Sequence, residues 1–193
     1  MNMRQRFLLV AAAVIWSILM VSCQKSGVEA AREDTSGVTP REIVSRDEKN
    51  FLIDAEKSEI RQKALAEAAL EKSKNSDVRD FAKRLVQDRD RALTELTELM
   101  KAKNITQPAA LADEVQLEAA KRLHRSTGTA FDHEFVSLIV AEQQEMVRGF
   151  DRASETAADP DVRSYAARVL PSVRKDFETA NKLLQIFRAK TTP

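Results

Sequence analysis

Four polar residues stand where amphipathic spacing calls for apolar ones: Gln62, Arg89, Gln143 and Asp176. Each interrupts the apolar stripe of a different helical segment, near its middle. Midway down a helical bundle is where such folds place metals, cofactors or ligands. A carboxylate, a guanidinium and two amides brought to one level would make a small polar pocket or a buried network. None of the four is a His, Glu or Cys. An Arg cannot ligate a cation, and a Gln amide is a weak neutral donor, so the set predicts no metal and no cofactor. Charge pairing fits the residue types better. Arg89 and Asp176 would form an ion pair in the bundle centre, with Gln62 and Gln143 as hydrogen-bond partners. A half-exposed arrangement, with Arg89 snorkelling to solvent, is the plainer alternative.

Long helices must carry these residues. The pattern Val78, Ala82, Leu85, Arg89, Ala92, Leu96, Leu99 alternates steps of four and three, the signature of a core-facing stripe. A first helix is predicted from about Asp47 to Ser73, with Phe51, Ala55, Gln62, Ala66 and Ala69 in line. Start signals precede it at Thr39-Pro40-Arg41-Glu42 and Ser45-Arg46-Asp47-Glu48. Asn75-Ser76-Asp77 caps the second helix. A shorter helix from about Leu111 to Arg125 follows a break at Pro108. The third long helix runs from about Ala130 to Ala157, with Phe135, Ile139, Gln143, Met146, Phe150 and Ala153 on one face. Asp159-Pro160 opens the fourth, which continues to about Ala189 and contains Pro171, where a kink is expected. Asp77-Val78-Arg79, Phe81-Ala82 and Arg84 recur as Asp161-Val162-Arg163, Tyr165-Ala166 and Arg168. That repeat implies two related helical hairpins.

Composition agrees with helices: charged residues make up 32%, aromatics 5%, and there are only 4 Gly and 5 Pro in 193 residues. The net charge of +1 offers no electrostatic case for nucleic acid as a partner. His124 and His133 fall away from the four-residue layer and are read as satisfied or exposed side chains. No phosphate loop and no nucleophile–base pair is recognisable, so an enzyme is not expected.

The first residues read as an address. Arg4 and Arg6 precede an apolar run from Phe7 to Val21, shorter than the roughly 20 residues that span a bilayer. Met20-Val21-Ser22-Cys23 closes it and resembles a bacterial lipobox. This implies a signal peptide over 1–22, acylation of Cys23, and a membrane partner reached through the lipid. Residues 23–38 would be a flexible tether and 39–190 the bundle domain. The absence of Asp after Cys23 favours the outer membrane over the inner, on the periplasmic face of a cell envelope.

The helical landmarks resemble a ferritin-like bacterial envelope family, domain of unknown function family 4142. They are Phe51-Leu52, Val78-Arg79-Asp80-Phe81-Ala82, Leu85-Val86-Gln87-Asp88, Phe131-Asp132, Phe135, Ile139-Val140-Ala141-Glu142, and Ala166 through Leu170-Pro171. The resemblance implies an all-α fold: a ferritin-like up-down four-helix bundle with a short extra helix in the crossover between hairpins. It also implies a His/Glu cluster able to hold a metal. Here the family's usual His positions carry Arg89, Gln143 and Asp176, and its usual Glu falls on Gln62. The expected function is therefore a non-catalytic envelope bundle with a structural or protein-interaction role and a degenerate metal site. The alternative is a metal-binding or redox protein using Asp88, Glu142 and Asp176.

Overall fold

The computed structural model describes residues 44–106, 114–115, 117–118, 121, 123 and 125–191, the side chains of 190 and 191 excepted. The expected signal peptide, Cys23, the expected tether, the Thr39 start signal, His124 and most of the residues of the expected crossover helix lie outside the described residues. The described ones form α1 (Arg46–Lys72), α2 (Ser76–Ala102), α3 (Gly128–Thr156) and α4 (Pro160–Thr191), with no strand among them. No helix among them is long and apolar enough to cross a membrane.

Local chemistry sets the helix ends. Ser45 and Glu48 form a reciprocal capping box at α1. Asn75 Oδ1 accepts from the amides of Asp77 and Val78 to start α2. α2 stops where Asn104 takes a φ of 55°, with Ile105 N donating to Met100 O at 2.8 Å and Asn104 N to Lys101 O at 3.1 Å. This is the left-handed helix terminator, with Asn where Gly is usual. Asp159 Oδ1 accepts from Asp161 N and Val162 N and opens α4, whose first residue is Pro160. α4 then runs through Pro171 as one element. Pro171 is exposed, and so is Ala167, whose carbonyl loses its donor there. Water can serve that carbonyl, which is why a proline is tolerated at this position.

The hairpins α1–α2 and α3–α4 are the most extensive pairings; α1 also packs on α3, and α2 on α4. Lys103, just past α2, pairs with Asp159 at the start of α4, and Glu48 in the first turn of α1 meets the same residue. Lys72 at the far end of α1 reaches Leu123 O and the face of Phe131. Hence α2 ends at one end of the bundle and α3 begins at the other. Lys103 and Thr127 therefore lie at opposite ends of the bundle, and α2 and α3 run parallel on a diagonal.

The core divides into two apolar clusters. One gathers Leu65, Phe81, Leu85, Phe135, Ile139 and Leu183 with their neighbours; the other gathers Leu52, Leu96, Met146, Phe150, Tyr165 and Val173 with theirs. Along every helix the predicted polar position falls between residues of the first cluster and residues of the second. The polar residues thus form a layer across the middle of the core.

Candidate functional site

α1 contributes Gln62, α2 Arg89, α3 Gln143 and α4 Asp176 to that layer. All four are buried, Arg89 to 1% exposure and Asp176 to 5%. Arg89 is the hub. Its Nη2 donates to Asp176 Oδ2 at 2.6 Å, and its Nη1 lies 3.0 Å from Glu59 Oε2. The same Nη1 is 3.8 Å from the sulfur of Met146. One guanidinium on α2 therefore touches side chains from the other three helices.

Two features differ from expectation. Glu59 was not among the predicted positions, yet it is fully buried. Its signal was present: Ala55, Glu59, Gln62, Ala66 and Ala69 are spaced four, three, four and three, and a Glu on such a stripe is as informative as an Arg. The two amides also do not serve the ion pair. Gln62 Nε2 donates to Met146 Sδ at 2.7 Å, and neither amide atom of Gln143 has a hydrogen-bond partner. Glu59 sits one turn before Gln62 on the same face, and a carboxylate attracts a guanidinium more strongly than a neutral amide does. Met146, almost one turn beyond Gln143, brings its sulfur in front of both Gln62 and Arg89.

Satisfaction in the layer is incomplete. Glu59 Oε1, Gln62 Oε1, Arg89 Nε and the Tyr165 hydroxyl are buried without a hydrogen-bond partner, and the Glu59–Arg89 contact is a charge contact off the line of a hydrogen bond. Two carboxyls share one cation, so both cannot ionise freely. Burial raises Glu59 to about 7, against the opposing pull of Arg89 and with help from Asp176. Burial likewise raises Asp176 to about 6, again opposed by Arg89. Burial also pushes the Tyr165 hydroxyl upward.

A metal does not fit this layer. Arg89 already lies between Glu59 and Asp176, and its fixed charge repels a cation. The carboxylates of the alternative reading are each engaged by a different arginine: Asp88 by Arg91, Glu142 by Arg61 at 3.3 Å, and Asp176 by Arg89. Among the described residues no three His, Cys, Asp or Glu side chains gather as a ligand set. His133 is exposed and lies edge-on to Phe187, far from the layer in the fold.

Beside the layer, α1 and α3 flank a groove of about 620 Å³ lined by Asp47, Phe51, Asp54, Glu145, Met146 and Phe150 among others. A model of the family described as Domain of unknown function (DUF4142) matches residues 34–183. No curated protein and no solved structure matches the chain.

Proposed function

The chain belongs to the DUF4142 family, and we propose that it is a non-catalytic bundle of ferritin-like topology, tethered to the cell envelope through acylated Cys23. In this reading it is held at the periplasmic face of the outer membrane and serves a structural or protein-interaction role. Its central layer is a metal position taken over by protein charge: Arg89 stands where the family resemblance implies a metal-binding residue. The observation that carries the reading is the engagement of Arg89 by carboxyls from two other helices, Glu59 and Asp176. The end of α2 and the start of α3 lie at opposite ends of the bundle, and such a long connection is typical of ferritin-like bundles, which supports the topological part.

Two measurements test it. Labelled palmitate is expected on the wild-type chain and absent from Cys23→Ala; label retained on the variant refutes the lipid anchor. Purified protein dialysed without chelator is expected to carry no stoichiometric iron, manganese or zinc. Metal that survives dialysis at one per chain overturns the reading in favour of the redox alternative.

A further inference from the structure

Met146, 4% exposed, stands between the polar layer and the groove. One side of it lines the groove between α1 and α3, with Phe51, Ala55, Gly149 and Phe150. On the other, its sulfur receives Gln62 Nε2 at 2.7 Å and lies 3.8 Å from Arg89 Nη1. A thioether is a weak acceptor. Gln62 Nε2 therefore rests on a weak acceptor, and Arg89 Nη1 has beside that sulfur only the Glu59 carboxylate, 3.0 Å away and off the line of a hydrogen bond. Both belong to buried side chains, Gln62 at 0% and Arg89 at 1% exposure. A stronger acceptor on that sulfur would suit both.

We propose that Met146 is a site of reversible oxidation, and that Gln62 and Arg89 form a receptor for the sulfoxide oxygen. The co-reactant is a peroxide. The sulfur lone pair attacks one peroxide oxygen, an S–O bond forms and the O–O bond breaks. The leaving hydroxide takes up the proton released from the transferred oxygen, giving water. Sulfur loses two electrons and the peroxide gains them. The new oxygen is a strong acceptor aimed at donors already in place. The three rotatable bonds of Met let the sulfur withdraw toward the groove while the oxygen stays on Gln62 and Arg89. The groove gives the oxidant its approach and the side chain its room.

Met100 supplies the contrast within the same molecule. It is the other methionine among the described residues, as buried as Met146 and in the same apolar cluster, but it does not line the groove. A sulfoxide there would place a polar oxygen among apolar groups, the usual destructive outcome.

The experiment exposes the full chain to dilute hydrogen peroxide and maps oxygen on each methionine by peptide mass. It then compares melting temperatures before and after. Met146 is expected to gain oxygen ahead of Met100, and the singly oxidised protein to melt about 2–4 °C higher, the scale of one added hydrogen bond in a chain of this size. Methionine sulfoxide reductase should return both mass and melting temperature. In Gln62→Leu the oxidised form should lose that gain; Met146→Leu should show no peroxide-induced rise. Oxidation of Met100 first, or a Met146 sulfoxide that melts below the reduced protein, overturns the proposal. Neither outcome depends on the anchor or on metal content, so this test stands apart from the proposed function.

Discussion

Two buried polar clusters in this bundle solve the same problem with opposite results. At the bundle end, Glu48 Oε1 accepts from Asp159 N at 2.7 Å and Oε2 from Ser45 N at 2.8 Å. Asp159 caps α4 with one oxygen and holds Lys103 at 2.5 Å with the other. Burial acts to raise both carboxyls, but hydrogen bonds from Ser45 and the Asp159 amide outweigh it at Glu48, and Lys103 with the α4 amides outweighs it at Asp159; both are lowered. At the centre, Glu59 and Asp176 share a single guanidinium, backbone amides are tied up in mid-helix, and burial wins, so both are raised. Helix ends have spare N–H groups to offer a carboxylate; helix middles have none. Position along the helix therefore decides whether a buried acid keeps its charge.

The largest test is to remove the hub. Arg89→Leu leaves two buried carboxyls without a cation, and is expected to lower stability by about 3–5 kcal/mol in urea unfolding at pH 7. The loss should shrink at pH 5, where protonating both acids is easier. A loss as large at pH 5 as at pH 7 would show that packing, not charge, is the cause.

Next comes the end cluster. Asp159→Ala removes the α4 cap and the partner of Lys103 together, and about 2 kcal/mol is expected by the same measurement. Here the loss should be constant from pH 7 to pH 5 and shrink only below the ordinary Asp range.

The pH dependence of the wild type separates the clusters by sign. Raised folded-state values mean that the native protein binds more protons than the unfolded chain, so the centre loses stability as pH rises from about 4 to about 7. Lowered values at Glu48 and Asp159 give stability that is present above the ordinary carboxylate range and lost as pH falls through it. Maximum stability is thus expected in weak acid, between the two windows. Glu59→Gln should flatten the limb between pH 5 and 7 while leaving the acid limb unchanged; an unaltered limb would place the titration elsewhere.

The smallest effect should come from Gln143→Leu. Its amide has no protein partner, so an apolar side chain of similar size is expected to be neutral or up to about 1 kcal/mol stabilising. A loss above 1 kcal/mol in urea unfolding would show that the amide is satisfied in solution.

Much of this was legible in the sequence because the signals were periodic. Interruptions of a four-three stripe located Gln62, Arg89, Gln143 and Asp176 at one level, and Ser45, Asn75 and Asp159 marked three helix starts through side chains that cap amides. Glu59 is harder to read, because acidic residues are common on exposed helix faces and a Glu between Ala55 and Gln62 passes for one of them. The partners of the amides were not legible at all. Which group Gln62 meets depends on the rotation and height of α3 against α1, a rigid-body quantity that spacing within one helix does not encode.

The short connectors within each hairpin and the long separation between hairpins bear on the order of assembly. Each hairpin closes through a connector of three residues, 73–75 and 157–159, and can form locally. The polar links between hairpins span 111 residues for Glu48 and Asp159, 87 for Arg89 and Asp176, and 84 for Gln62 and Met146. Loop-closure entropy is met only when the two hairpins dock. Arg89 and Asp176 leave water together in that event, so the pH dependence of the central layer arises where the hairpins dock, whereas that of the Asp159 cap arises where α4 begins.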